Sequence, residues 1–166
     1  MTSAKDIIRK LDLKPHPEGG YYREIYRSGE EIDKDSLPDR YSGSRCFGTG
    51  IYYLLTPGDM SAMHRVKSDE TFHFYMGDPT ELLLLFPDGS GKIIDVGIDL
   101  EKGMEPCVTI NRGVWQGQRL KDGGQFVLFG TTVNPGFDFD DFEMGDRNKL
   151  QTEYPEFSEM IEKLTK

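Results

Sequence analysis

The residues best suited to chemistry lie within one segment, residues 58–77, which contains His64, Glu70 and His73. The residues around them indicate a strand, a turn and a second strand. Imidazole and carboxylate side chains that lie close together can bind a metal ion, or they can exchange protons as acid and base. The segment therefore predicts a chemical site, and its residue types alone leave metal binding and acid–base chemistry both open.

The orientation of His73 depends on strand alternation. His73 lies three residues after Glu70, and successive side chains of a regular strand point to opposite faces. A regular strand would therefore separate the two side chains, whereas a β-bulge could bring them together. His73 is either a packed structural histidine or a pocket residue, and both interpretations stay open at this point.

The segment lies in a chain that is rich in turns and short apolar stretches. Nineteen glycines and nine prolines predict frequent turns. Strands are predicted at residues 21–26, 51–55, 71–76, 81–86, 92–96, 107–110, 114–120 and 125–132, with a polar surface loop at 28–44. Short strands separated by turn signals are typical of a β-sandwich or β-barrel.

Helical patterns occur at the two ends of the chain. Ser3 and Asp6 form a capping-box-like start for a helix over residues 3–11. The flanking region at 148–164 is predicted to be helical over residues 148–154 and 155–164, with Pro155 at a first helical position and apolar side chains on one face of the second segment. The sequence thus predicts a mainly β protein with a short helix at each end.

The composition limits the classes of partner. The chain has 29 acidic against 20 basic side chains, a net charge of −9. Nucleic-acid binding requires a basic face, and anionic membranes attract basic segments, so this balance argues against both partners. We expect the excess charge to serve solubility and the partner to be a small molecule.

The cysteines and the N-terminal residues bear on the compartment. Cys46 and Cys107 form no CxxC pair and fit a reducing compartment as free thiols, although one disulfide between them stays open. Residues 1–6 lack the apolar stretch of a signal peptide. The longest aliphatic and aromatic run, residues 82–86, is too short to span a bilayer. The sequence predicts a cytoplasmic protein.

Residues 58–77 resemble the first cupin signature, G-x5-H-x-H-x(3,4)-E-x6-G. Gly58, His64, Glu70 and Gly77 match it in register, and Val66 stands where the second histidine belongs. These four fixed positions, inside an all-β pattern, indicate a cupin.

The second cupin signature, G-x5-P-x-G-x2-H-x3-N, is poorly kept. Gly113 matches its inner glycine, Asn111 replaces the proline, and Gln116 stands where the histidine belongs. Gln116 therefore maps to a position that faces inward in cupins.

Three stretches resemble one branch of the cupins, the Cupin 5 family, also called domain-of-unknown-function family 985. They are residues 15–23, 64–75 and 133–143. The resemblance implies a double-stranded β-helix barrel of the jelly-roll type, usually as a homodimer. It implies no particular reaction, because the fold hosts enzymes, sensors and storage proteins.

The resemblance gives expected domain bounds. Residues 1–166 are expected to form a single cupin domain. Its barrel would cover roughly residues 20–143, with flanking helices at 3–11 and 148–164.

The resemblance also identifies the positions of metal ligands. Metal-binding cupins use three histidines and one glutamate; this chain retains His64 and Glu70 and has Val66 and Gln116 in the other two places. Valine cannot ligate, and an amide oxygen is a weak ligand for zinc or iron. We therefore expect no cofactor. If a divalent transition metal binds, its ligands would be His64, Glu70 and Gln116.

Further residues are predicted to bind the ligand. Gly19 and Gly20 allow a tight turn or a close approach to a ligand, and the resemblance places their loop near the barrel mouth, which makes Glu18 a candidate. Trp115 lies beside Gln116, and an aromatic ring with polar neighbours suits a sugar-like ligand.

Two histidines complete the set of candidates. If His73 is a pocket residue, it is one of the predicted ligand-binding residues. His16, with no partner in view, is expected to be structural or exposed.

These residues favour a metal-free cupin that binds a small polar metabolite, of carbohydrate type, and catalyses isomerisation or epimerisation. Such a reaction moves a proton beside a carbonyl group and needs a base, an acid and a donor to the enolate oxygen. His64 is the expected base, Glu70 its orienting or acidic partner, and Tyr53 or Tyr75 the acid. The link to sugars is an analogy with metal-free sugar epimerases of the cupin fold.

Two other functions stay open. One is a metal-dependent cupin enzyme, an oxygenase or isomerase. The other is a non-catalytic binding, sensor or storage-type protein. A metal assay separates the first from the rest, and turnover of a bound ligand separates enzymes from binders.

Overall fold

A computed structural model describes residues 3–166. Its helices are α1 (Ala4–Leu11), α2 (Arg147–Glu153) and α3 (Ser158–Lys163), and short 3-10 turns lie at Lys34–Ser36, Leu100–Lys102, Phe139–Asp141 and Pro155–Phe157. Its strands are β1 (Lys14–Pro15), β2 (Tyr21–Arg27), β3 (Glu31–Ile32), β4 (Arg45–Cys46), β5 (Thr49–Leu55), β6 (Met60–Val66), β7 (Asp69–Gly77), β8 (Thr80–Leu85), β9 (Gly91–Val96), β10 (Cys107–Ile110), β11 (Trp115–Leu120), β12 (Val127–Asn134) and β13 (Phe142–Met144).

Two antiparallel sheets enclose the main core. One has the strand order β1-β2-β5-β12-β7-β10, and the other has the order β13-β6-β11-β8-β9. Apolar side chains from both sheets meet between them, among them Tyr53, Phe72, Leu84 and Phe129. This arrangement confirms the predicted mainly β, jelly-roll barrel with short terminal helices.

The helices cover the outer faces of the two sheets. Leu82 and Leu84 of β8 point into the core between the sheets, whereas Leu83 and Leu85 pack under the C-terminal helices. On the other side, Ile7 of α1 packs with outward-facing residues of the six-stranded sheet. A strand that is buried on both faces carries an uninterrupted apolar sequence, which explains the run at residues 82–85.

The helical prediction at the two ends is confirmed with one difference. Helix α1 begins at the capping box of Ser3 and Asp6, as expected. The segments predicted to be helical at 148–154 and 155–164 correspond to α2 and α3, and the difference is that the second segment begins with a 3-10 turn at Pro155. Proline lacks an amide hydrogen and disfavours helical geometry in the residue before it, so the first helix ends there. None of the helices in residues 3–166 is long and apolar enough to cross a membrane.

The polar stretch at residues 28–44 is more than a surface loop. It contains β3, and the ring of Tyr41 is almost completely buried. The Tyr41 hydroxyl lies 2.9 Å from Ser68 Oγ and donates a hydrogen bond to the carbonyl oxygen of Lys67. The prediction missed this because the contacts are to the turn between β6 and β7, which is distant in sequence.

A buried ion pair joins this stretch to residues 137–143. Nε and Nη2 of Arg45 each donate to a carboxylate oxygen of Asp141 at 2.7 Å, and both side chains are buried. The guanidinium also lies over the ring of Tyr41. The pair therefore helps to fix residues 137–142, four of which line the cavity between the sheets.

Breaking the buried pair should destabilise the protein strongly. We expect Asp141→Asn to lower the free energy of unfolding by about 3 kcal/mol, because Arg45 is left as a buried charge without its counterion. Urea unfolding followed by circular dichroism measures the loss. Glu143→Gln removes the exposed Arg65–Glu143 pair and should cost less than about 1 kcal/mol. Equal effects of the two variants would contradict this account of the Arg45–Asp141 pair.

Candidate functional site

A cavity of about 520 Å³ opens between the two sheets. Its ionisable lining comprises Glu18, Glu24, Glu70, Asp138, Arg27, His16 and His64. Aromatic rings from both sheets and from residues 137–142 form much of the remaining wall. The combination of an apolar enclosure and a few charged groups is typical of a small-molecule site.

A glycine turn brings Glu18 into the barrel. The backbone of Gly19 has φ of 115°, in the left-handed region, and a Cβ atom there would collide with the carbonyl oxygen of Met60. Glycine is therefore required for the loop to lie against β6. The Glu18 carbonyl oxygen then accepts a hydrogen bond from the Ala62 amide, and the Glu18 side chain is 6% exposed.

The Glu18 carboxylate contacts two groups on β6. Its Oε1 accepts a hydrogen bond of 2.8 Å from Ser61 Oγ. Its Oε2 lies 3.3 Å from Nδ1 of His64. The loop at the barrel mouth thus supplies the first of two carboxylates around this histidine.

His64 is buried and positively charged at neutral pH. Its Nδ1 donates to the carbonyl oxygen of Ala62 at 2.8 Å, and its Nε2 lies 3.9 Å from Oε2 of Glu70. Burial alone lowers the pKa of His64, but the Glu18 and Glu70 carboxylates outweigh that effect and raise the pKa to about 9. The imidazolium ring stacks on Phe142, with ring centroids 5.2 Å apart.

Glu70 and Gln116 link the two sheets beside His64. Gln116 of β11 is the register partner of His64 on β6, and its Nε2 donates a 2.7 Å hydrogen bond to Oε2 of Glu70 on β7. Both side chains are buried. The structure therefore brings together His64, Glu70 and Gln116, the three inward positions to which the signatures map.

His16 lines the same cavity, although it was expected to be structural or exposed. Its Nδ1 accepts a hydrogen bond from the Glu18 amide at 3.2 Å, and its ring packs edge-on against Tyr22 and Tyr53. Burial lowers the pKa of His16 despite the attraction of the nearby Glu18 carboxylate. The available signal was its position two residues before Glu18 in the loop that enters the barrel.

Tyr53 lines the cavity but uses its hydroxyl for structure. The hydroxyl donates a 2.7 Å hydrogen bond to the carbonyl oxygen of Gly19. Burial, reinforced by the Glu18 charge, raises the pKa of Tyr53 well above its usual range. Tyr53 therefore holds the loop that carries Glu18, and this does not favour the role of acid expected for it.

Known proteins resemble this chain over most of its length. The profile of Cupin_5, described as the Cupin superfamily (DUF985), matches residues 5–145. The chain belongs to the Cupin_5 family. The uncharacterized protein YML079W of Saccharomyces cerevisiae is 30% identical over 148 residues, which are 84% of this chain and 74% of the yeast protein.

Solved structures show the same cupin fold. Protein SO0799 from Shewanella oneidensis is 34% identical with a TM-score of 0.89, covering 100% of this chain and 99% of that one. A hypothetical protein from Leishmania major is 32% identical with a TM-score of 0.87, covering 98% of each chain. Oxalate decarboxylase from Bacillus subtilis is 17% identical with a TM-score of 0.54, covering 93% of this chain and 37% of that one, and shares the fold alone.

Four residues predicted to serve the site of this cupin do not line its cavity: Tyr75, Trp115, His73 and Gln116, the last of which contacts the lining residue Glu70. Tyr75 is 51% exposed on the outer face of the six-stranded sheet, next to Tyr52. Trp115 packs in the cluster under the C-terminal helices, with the Arg65 guanidinium over its ring. Trp115 lies outside the cavity because successive side chains of a strand point to opposite faces: its neighbour Gln116 points inward, so Trp115 points outward.

His73 also faces outward, which favours the structural interpretation. Its Nε2 lies 3.0 Å from Thr132 Oγ1, and its Nδ1 lies 3.7 Å from the Cys107 sulfur. The pairing of β7 with β12 does shift register, but between Phe74 and Met76, after His73. The regular stretch before that shift separates His73 from Glu70.

The donors around His64 do not fit a tight transition-metal site. Val66 lines the cavity but has no donor atom, and the amide nitrogen of Gln116 is directed at Glu70. A metal ion would have to displace the proton that Glu18 and Glu70 hold on the His64 ring. Within residues 3–166, no group of three or more His, Cys, Asp or Glu side chains is placed to hold a metal ion.

The raised pKa of His64 should make stability depend on pH. The imidazolium stabilises the fold fully below pH 6.5, the ordinary pKa, and that contribution is lost as the pH rises through about 9. We expect the free energy of unfolding to fall by as much as about 3 kcal/mol across this window, and to fall less in His64→Gln. Urea unfolding at several pH values measures it.

The same pKa can be observed directly by NMR. We expect the Hε1 resonance of His64 to titrate near pH 9 and to shift to lower pH in Glu18→Gln, which loses one of the two carboxylates. Glu24→Gln is the matched control, because Glu24 lines the same cavity but pairs with Arg27. A wild-type midpoint near the ordinary value would contradict the electrostatic role of Glu18 and Glu70.

Proposed function

We propose that the cavity binds a small polar metabolite and catalyses a proton transfer beside a carbonyl group, as in isomerisation or epimerisation. The observation that carries the proposal is the buried imidazolium of His64 between the carboxylates of Glu18 and Glu70. An acid–base pair usually consists of two titratable side chains, one of which is kept protonated and the other ionised by its surroundings.

The charge of His64 favours the role of acid rather than the base expected from the sequence. Nδ1 already donates a hydrogen bond to the Ala62 carbonyl oxygen. Nε2 lies 3.9 Å from Oε2 of Glu70, which is too far for a hydrogen bond. The Nε2 proton is therefore available to an oxygen atom of a ligand in the cavity.

Glu70 is the base in this proposal. Glu70 lines the cavity, and Gln116 donates to its Oε2 and fixes the carboxylate. Glu70 removes the proton from the carbon beside the carbonyl group while His64 donates its Nε2 proton to the carbonyl oxygen, which gives an enediol. For isomerisation, protonated Glu70 then gives its proton to the former carbonyl carbon while neutral His64 takes the proton from the other enediol hydroxyl, which becomes the new carbonyl group. For epimerisation, the enediol turns over in the cavity, Glu70 returns the proton to the other face of the same carbon, and His64 takes back the proton that it gave to the oxygen.

The remaining residues of the site position these two. Glu18 keeps His64 protonated, and Tyr53 and Ser61 hold Glu18 in place. Aromatic rings at Tyr22, Phe137 and Phe139 line the cavity and can cover the apolar face of a sugar-like ligand. Oxygen atoms of such a ligand would then lie toward His64.

Isotope exchange tests the proposed reaction. Aldoses and ketoses of three to six carbons are incubated with the protein in D₂O, and mass spectrometry detects deuterium on the carbon beside the carbonyl group. We expect His64→Gln and Glu70→Gln each to slow exchange by about 10²-fold or more. Tyr75→Phe, outside the cavity, should retain the wild-type rate. Saturable binding without exchange would support the non-catalytic binding function instead.

The proposed reaction runs without a metal ion. Val66 has no ligand atom and Gln116 is a weak ligand, which supports this part of the proposal. We expect elemental analysis of the purified protein to give far less than one zinc, iron, nickel or manganese ion per chain. About one ion per chain, removed by His64→Ala, would contradict the proposal and favour the metal-dependent alternative.

We also propose that the protein forms the expected homodimer. The outer face of the six-stranded sheet exposes Ile25, Tyr75 and Met76 beside α1. Large apolar side chains grouped on an exposed face are typical of protein–protein contacts, and identical chains commonly pair through one such patch.

A further inference from the structure

We infer that the cavity selects a ligand with a positive charge, namely an ammonium group on a polyhydroxy compound, such as an amino sugar. The inference rests on the proposed function, because it names the substrate class of the same site. It starts from the charges that the fold encloses, and it goes beyond the neutral carbohydrate expected from the sequence.

The inner end of the cavity carries an excess of negative charge. Glu18, Glu70 and His64 are 6%, 9% and 3% exposed. Two carboxylates face one imidazole ring there, so the inner end is negative whether or not the ring carries a proton. An uncompensated charge away from water is costly unless a partner of opposite sign reaches it. A cationic ligand supplies that partner.

His16 does not supply the missing charge. It lies 3.9 Å from Oε2 of Glu18, but its Nδ1 accepts the Glu18 amide hydrogen and so cannot carry a proton of its own in this geometry. Burial also lowers its pKa. The Lys166 ammonium group donates to the Pro17 carbonyl oxygen and does not line the cavity, so within the cavity the negative charge at the inner end is left for a ligand to neutralise.

Two carboxylate oxygens keep free acceptor capacity toward such a ligand. Within residues 3–166 no hydrogen-bond donor reaches Oε1 of Glu70, whose other oxygen is held by Gln116. Oε2 of Glu18 lies near Nδ1 of His64, but that nitrogen donates its hydrogen to Ala62. An ammonium group has three donors and no acceptor, so it can bind Glu18 Oε2 and leave Glu70 Oε1 to act as the base.

The mouth of the cavity adds negative charge rather than removing it. Arg27 donates two hydrogen bonds to Glu24, at 3.0 and 2.8 Å, so its guanidinium is already neutralised and is not free for an anionic ligand. Asp138 contributes a further carboxylate. Four carboxylates against the two cations Arg27 and His64 leave a lining with two negative charges, which disfavours carboxylated or phosphorylated ligands.

The aromatic wall is compatible with a cation. The rings of Phe137, Phe139 and Phe142 pack edge-on against one another at centroid distances of 5.0 to 6.4 Å, and all three line the cavity. Aromatic faces attract ammonium groups and also pack against sugar rings. A volume of about 520 Å³ accommodates a molecule of hexose size.

A series of matched hexoses tests the inference. D-glucosamine, D-glucose and D-glucuronate share one ring and carry a positive, neutral and negative charge. Calorimetric titration at about pH 6, where His64 is protonated, with EDTA to exclude metal ions, measures each affinity. We expect D-glucosamine to bind at least about tenfold more tightly than D-glucose, and D-glucuronate to bind most weakly.

Variants show whether the carboxylates cause the preference. In Glu18→Gln the ratio of D-glucosamine to D-glucose affinity should fall toward one. Glu70→Gln provides the same readout if Glu18→Gln does not fold, as judged by circular dichroism. Glu143→Gln removes an exposed carboxylate outside the cavity and should leave the ratio unchanged.

The outcomes separate this inference from the proposed reaction. D-glucose or D-glucuronate binding as tightly as D-glucosamine, or no saturable binding of D-glucosamine, would overturn the inference. Neither binding result bears on whether the protein catalyses deuterium exchange into other sugars. Conversely, preferential binding of D-glucosamine with no exchange of any sugar would uphold the charge selection and overturn the proposed proton transfer.

Discussion

The site depends on one buried cation, the imidazolium of His64, and on the two carboxylates that keep it charged. Moving a charge out of water is costly, and the cost is offset only when groups of opposite charge lie close by. The three side chains come from separate parts of the barrel: Glu18 from the mouth loop, His64 from the five-stranded sheet and Glu70 from the six-stranded sheet. The site is therefore complete only when the barrel is closed.

The rest of the fold serves to hold these three groups in place. Gly19 lets the mouth loop lie against the backbone of β6, and the Tyr53 hydroxyl ties that loop to the six-stranded sheet. Gln116 fixes the Glu70 carboxylate from the opposite sheet. The helices cover the outer faces of the sheets with apolar contacts. The two sheets themselves enclose the polar groups of the site.

The fold and the inward positions could be predicted from the sequence, because strand pattern and signature spacing are local. His64, Glu70 and Gln116 converge as their mapping implies. Trp115 was misplaced because adjacent residues on a strand point to opposite sides. The charge of His64 could not be predicted, since it depends on Glu18, which is 46 residues earlier in the chain and approaches only through the turn at Gly19.

A positive charge beside Glu70 can be supplied by a metal ion or by a proton. Val66 and Gln116 remove two donors from the positions that a metal would use, which weakens any such site. Glu18 adds a carboxylate on the other side of His64, which holds a proton on the ring. A proton on Nε2 occupies the lone pair that a metal would need, so both features act in the same direction. The donor set at these positions and the carboxylate of Glu18 both favour a proton over a metal ion beside Glu70.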